Sequence, residues 1–198
     1  MKVTPAALAA LAILSVASGC SDALLPGSTT LSSAELLVLP VQSTAPPATD
    51  VSFFVSNSRV VERTIRHNDT FGTPFARISF PRGSLSELSG QQLTADDSVL
   101  VTVSPIPGSY GVTITPIGLR FSSTAPTLSF SAAVYGDFEA VSTSTRYADA
   151  DDYLSSSEIW EEVALDTWSA RNSVVSLVGT SVSGSITRGG DHVQAAAR

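Results

Sequence analysis

The sequence predicts an all-β chain: an antiparallel β-sandwich placed after a cleaved amino-terminal signal helix and a flexible linker. Three observations carry that prediction. From Val51 onward, apolar and polar residues alternate in short runs; Gly, Pro, Asn and Ser separate the runs; and no stretch shows a long helical apolar stripe.

The chain opens with an export signal. Lys2 supplies a positive amino-terminal region, Pro5 to Ala17 is apolar, and Ala17-Ser18-Gly19 leads through small residues into Cys20, the arrangement of a cleavable secretory peptide. The apolar stretch falls short of the ~20 residues a spanning helix needs. The small-small-Cys junction resembles the lipobox of bacterial lipoproteins, with Ala17 where leucine is commoner. That resemblance implies acylation of Cys20, cleavage after Gly19 and a domain tethered to the membrane by lipid. Ser21 after the cysteine then implies the outer membrane. The competing reading is an ordinary signal peptide with a spare cysteine.

Removing residues 1–19 leaves 179 residues and takes away Lys2, the only lysine. Ten arginines then face 18 acidic residues, a formal balance of −8. Nucleic-acid binding needs a basic footprint that this chain lacks, and lysine-based Schiff-base chemistry is excluded. One cysteine rules out an intrachain disulfide framework and a Cys-rich zinc site.

Residues 20–50 are rich in Ser, Thr, Ala and Pro, with Ala45-Pro46-Pro47-Ala48 near the end, and read as a flexible tether. Within it, Ala34 to Val41 has the composition of a short strand or helix. The sandwich is assigned to 51–188. Val99, Val101 and Val103 fall on one strand face, as do Ala76, Ile78 and Phe80; Val112 and Ile114, Leu119 and Phe121, and Leu128, Phe130, Ala132 and Val134 repeat the pattern. The best helical candidate lies around Asp149 to Glu162. Strand-like alternation returns at Val174 to Val178 and Ser181 to Thr187, and the Gly- and Ala-rich residues 189–198 read as a disordered tail.

The run Ala76-Arg77-Ile78-Ser79-Phe80-Pro81-Arg82-Gly83-Ser84-Leu85 resembles the strand and turn that open the domain shared by zonula occludens proteins, ankyrins and netrin receptors. Val99 to Pro105, Pro116 to Ser122, Pro126 to Phe130 and Ile159-Trp160-Glu161-Glu162-Val163 fit later motifs of that domain, so the resemblance covers roughly Val51 to Thr187. It implies a β-sandwich used for protein contacts or mechanical spacing. Some relatives cut themselves at a His-Phe-Ser sequence; here Leu177-Val178-Gly179-Thr180-Ser181 lacks the histidine and phenylalanine, so autoproteolysis is not implied. Pro81 and Gly83 suit the turn through a fixed φ and a free one, and Leu85 is expected to plug the sandwich edge.

Catalytic chemistry is hard to place. Only His67 and His192 offer an imidazole base, and no Gly-x-Ser-x-Gly elbow occurs. His67 reads as a solvated or capping residue at a strand end, His192 as part of the tail. Asp149, Asp151 and Asp152 are weak calcium candidates, since hard cations take several carboxylates, but the spacing lacks the EF-hand glycine and glutamate; a solvated acidic loop is the alternative. Trp168, Tyr147 and Tyr153 are candidates for a surface contact through rigid aromatic area, whereas Trp160 reads as core.

These residues lead to the expectation of an exported lipoprotein, without cofactor, whose partners are the membrane, through lipid on Cys20, and an envelope protein or glycan. An adhesin that binds calcium or carbohydrate and, less favoured, an envelope hydrolase with scattered carboxylates are the alternatives.

Overall fold

A computed structural model describes residues 29–143 and 146–198; the signal segment, Cys20 and the first part of the tether lie outside the described residues. In chain order the elements are β1 (Thr30–Leu31), a 3-10 turn (Ser33–Glu35), β2 (Leu36–Val38), β3 (Val51–Ser56), β4 (Val61–Arg66), β5 (Pro74–Phe80), β6 (Leu85–Leu88), β7 (Gln91–Gln92), β8 (Ser98–Pro105), β9 (Gly111–Thr115), β10 (Leu119–Phe121) and β11 (Thr127–Ser131). There follow α1 (Phe138–Thr143), α2 (Ala150–Ser155), β12 (Glu158–Ala164), β13 (Thr167–Arg171), β14 (Ser173–Ser176), β15 (Ser181–Ser185) and β16 (Gly190–Ala197).

The fold is an all-β antiparallel sandwich. One sheet runs β1-β13-β12-β16-β9-β8-β3, with β2 also on β16; the second runs β14-β15-β11-β5-β4; and β10-β6-β7 forms a small third sheet. The expected registers hold: Val99, Val101 and Val103 bury one face of β8, and Ala76, Ile78 and Phe80 one face of β5. They meet in a core that also takes Phe53, Val112 and Ile114 from the first sheet and Leu128, Phe130 and Val182 from the second. Phe53 and Phe121 both meet the Phe80 ring edge-on, at 5.9 and 5.7 Å. Gly83 takes φ +75°, and Leu85 beyond it is buried. Alternation stops before Val134, which is exposed.

Three expectations are corrected. The tether proposed for 20–50 is part of the domain across much of its described length: Leu36, Leu37 and Leu39 are buried because β2 pairs antiparallel with β16, Ala195 opposite Val38 and Ala197 opposite Leu36. Residues 189–198 are no tail, because β16 lies inside the large sheet, paired with β12, β9 and β2. The helix expected around Asp149 to Glu162 is only six residues long and gives way to β12.

A second apolar cluster sits on the outer face of the large sheet. Leu36, Trp160, Val193 and Ala195 are buried there, with Leu31, Val38, Ile106 and Trp168 packed against them. The amino-terminal segment covers what would otherwise be a bare sheet face, and β12 and β16 are therefore buried on both sides.

Candidate functional site

Strand periodicity sends Ile159 and Glu161 of β12 into the sandwich while Trp160 turns to the outer cluster. Glu161 thus stands where a core aliphatic would be expected. Register places His192 of β16 on one side of it and Ser169 of β13 on the other. Its side chain is 0 % exposed, and so is that of His192.

Donors converge on this carboxylate. Oε1 accepts from Arg171 Nη2 at 2.7 Å, Thr187 Oγ1 at 2.6 Å and Arg188 Nε at 3.0 Å. Oε2 accepts from the Thr187 backbone N–H at 2.8 Å and faces His192 Nε2 at 3.4 Å, longer than a good hydrogen bond. His192 Nδ1 donates to the Gly190 carbonyl at 3.0 Å. Burial by itself would raise the Glu161 pKa; His192, then Arg171 and Thr187, outweigh it and hold the group at about 2. The same cluster leaves polar atoms unpaired among the described residues: the whole Gln194 amide, Ser169 Oγ and Arg171 Nε. A buried unpaired polar group costs about 1–3 kcal/mol, so the sheet carries a polar interior at a price in stability.

Arg188 takes this network to the surface. Its Nη1 donates to the Val163 carbonyl at 3.2 Å, and its side chain is 14 % exposed. It lines a groove of about 360 Å³ with Arg120, Glu162, Val163, Ala164, Leu165, Gly189, Gly190, Asp191 and Ile117. Arg120 and Arg188 are directly opposite in an antiparallel bridge. Gly189 packs so closely that a Cβ there would lie 2.4 Å from the Pro116 carbonyl oxygen, and Gly190 takes φ +126°. Both glycines are required to lay this backbone along the groove floor.

The candidates from sequence fall elsewhere. Cys20 lies outside the described residues. Tyr153 is buried and donates to the Leu37 carbonyl at 2.9 Å, while Tyr147 is buried and donates to the Ala197 carbonyl; neither offers a surface contact, because each ties a strand of the large sheet to the α1–α2 segment. Burial raises the Tyr153 pKa. Trp168 is half-buried against the outer cluster. Asp149 caps α2 by accepting from Asp152 N–H, and Asp152 accepts from Ala148 N–H, both at 2.9 Å. Asp149, Asp151 and Asp152 form no group of three or more metal-ligating side chains among the described residues.

Both histidines differ from expectation. His67 is buried, its Nδ1 donating to the Pro46 carbonyl at 2.7 Å and its ring edge-on to Phe75 and Tyr135. Next to it, Asp69 accepts from Thr73 and Tyr135, and the Thr73 hydroxyl and N–H are the main reasons its pKa falls to about 2. His192 is the partner of Glu161. The sequence did contain a signal for that cluster, namely a glutamate two residues after Ile159 in the buried register.

Comparison with known proteins adds no relative: no family model, curated protein or solved structure matches the chain. The site therefore rests on its own geometry.

Proposed function

We propose that this chain is an exported, lipid-anchored module of the cell envelope that binds a partner or spaces it from the membrane, and is not an enzyme. The observation that carries the reading is the Ala17-Ser18-Gly19-Cys20 junction behind the apolar run from Pro5 to Ala17. Acyl chains on Cys20 would supply the stable anchoring that one chain alone does not give. The buried cluster agrees with a binding role: both Glu161 oxygens are turned inward onto protein donors, which suits a brace better than a proton-transfer group. The similarity to the domain of zonula occludens proteins, ankyrins and netrin receptors points the same way, toward contact with another protein.

The test is intact mass and membrane partition of wild type and Cys20→Ala expressed in a bacterial host, followed by density separation of inner and outer membranes. Acylated mass, outer-membrane flotation and release of the variant are the expected results. A wild-type chain that is soluble and unmodified overturns the anchor. Partners are then sought by photo-crosslinking.

A further inference from the structure

We infer that β3 is a docking edge for a second copy of this chain: two molecules join antiparallel through Val51–Ser56 about a twofold axis at Phe54. β3 ends the large sheet, and among the described residues its strand partner is β8 alone. Natural sheet edges are blunted by shortness, charge, proline or a bulge, because an open row of N–H and C=O groups recruits another strand. The other ends of the two main sheets follow that rule. β1 has two residues and β14 four, while β4 carries Glu62, Arg63 and Arg66 and a register shift between Ile65 and Arg66. β3 has none of these devices: Val51-Ser52-Phe53-Phe54-Val55-Ser56 is six residues long, has neither charge nor proline, and pairs with β8 in an unbroken register.

Charge and side-chain pattern select the occupant. β3, β8 and β9 together carry no charged residue, in a chain with 18 acidic residues and a formal net charge of −7. Two such chains repel over most of their surfaces, and along this edge they meet without opposing charges. Phe54 and Leu100 lie directly opposite each other on the outer face and are 59 % and 53 % exposed, so an apolar row crosses β8 and β3 and stops at the sheet margin. A twofold axis at Phe54 sets that ring against Phe54 of the second copy and extends the row to Leu100-Phe54-Phe54-Leu100. Directly opposed aromatic residues stabilise a strand pair, and taking these half-exposed side chains out of water supplies the driving force. The same axis sets Ser52 against Ser56 of the second copy, small residues that leave the rings room to pack. Any extended segment could use the backbone groups, but the second copy brings a matching row at the same height, on an edge equally open.

Paired strands of this length fall among the small interfaces, below about 1,200 Å², so association depends on concentration and strengthens when the copies are confined together. The inference goes beyond the binding-module reading and does not need the lipid anchor. The experiment is sedimentation equilibrium of the full chain in density-matched detergent across a wide concentration range, with melting midpoints taken alongside. Wild type is expected to pass from monomer to dimer. Phe54→Arg, which sets like charges opposite each other, should weaken the dimer tenfold or more with the midpoint kept; Leu100→Ser, on the neighbouring strand, should weaken it severalfold; and Val60→Arg, at an exposed residue outside the strand, should leave it unchanged. A photo-crosslinking phenylalanine analogue at position 54 should attach to β3 of a second copy. A wild-type chain that stays monomeric throughout, or a dimer that neither Phe54→Arg nor Leu100→Ser weakens, overturns the proposal. So does a crosslink from position 54 to an extended segment of another protein, which assigns the edge to a foreign strand. A monomer that floats with membranes keeps the anchor and loses this dimer, and a dimer that does not float keeps the edge and loses the anchor.

Discussion

Glu161 and His192 face each other across β12 and β16 with carboxylate and imidazole 3.4 Å apart and neither side chain exposed. Around them, Arg171 and Arg188 place two guanidiniums on one carboxylate oxygen. A buried ion pair of this kind does not by itself stabilise a fold relative to a well-packed apolar core; its removal from one side is what costs, since the partners stay behind in low dielectric.

Glu161→Gln therefore strands Arg171 and Arg188 and is expected to cost about 3–5 kcal/mol, a large share of the ~5–15 kcal/mol that holds a domain folded. Urea unfolding of the two proteins measures it. A loss under about 1 kcal/mol would mean the cluster is solvated and the carboxylate dispensable.

Acid should unfold the protein through the same group. The pKa of Glu161 in the folded chain is about 2, below the ordinary 4.5, so between those values the unfolded chain binds more protons and stability rises with pH. The contribution is full above about pH 4.5 and fades as pH falls toward 2, on the order of 3 kcal/mol in all. Asp69, lowered to about 2 by Thr73, acts in the same direction over the same range. Urea midpoints at pH 6 and pH 3 should differ clearly; a flat profile would contradict the buried carboxylate.

Leu39 distinguishes a domain element from a linker. It is fully buried, and its N–H donates to the Gln194 carbonyl at 3.0 Å. Leu39→Ala should cost about 2–5 kcal/mol, where a residue in a free tether would cost nothing measurable. Thermal melting of the variant decides between them.

Two glycines should respond differently to the same added methyl. At Gly189 a Cβ meets the Pro116 oxygen at 2.4 Å and the Ile114 oxygen at 3.0 Å, so Gly189→Ala forces backbone apart and should cost about 1–3 kcal/mol. At Gly83 nothing lies within 4 Å, and only φ +75° opposes the side chain, for about 1–2 kcal/mol. Thermal melting of the two variants measures both costs, and a Gly189→Ala chain as stable as wild type would contradict the close approach to Pro116.

The sandwich was legible wherever one strand face is wet. Val99, Val101 and Val103 alternate with exposed or half-buried neighbours, and a period of two is all that such a strand needs to announce itself. β16 is covered on both faces, so His192, Val193, Gln194, Ala195 and Ala196 are all buried and no alternation survives; with Gly189-Gly190 before it and three alanines at its end, the composition resembles a tail. Leu36 to Leu39 were obscured in a similar way by the Pro- and Ser-rich residues around them. Tyr147 and Tyr153 look like contact residues because their hydroxyls need partners, and those partners are backbone carbonyls that only the fold supplies. Of the candidate site, Glu161 was readable in register with Ile159, but the convergence of Arg171, Thr187, Arg188 and His192 on it is a property of three-dimensional pairing.

The position of β16 also sets a schedule. β2, β9 and β12, drawn from the beginning, middle and end of the described chain, all wait for the same strand. A polypeptide delivered amino end first, whether from a ribosome or through a translocation pore, cannot close its large sheet until residue 197 has emerged, and such long-range closure is slow. Until then the outer-cluster residues of β2 and β12 stay uncovered. β16 is thus the keystone of the large sheet: three strands distant in sequence acquire their common neighbour in one event.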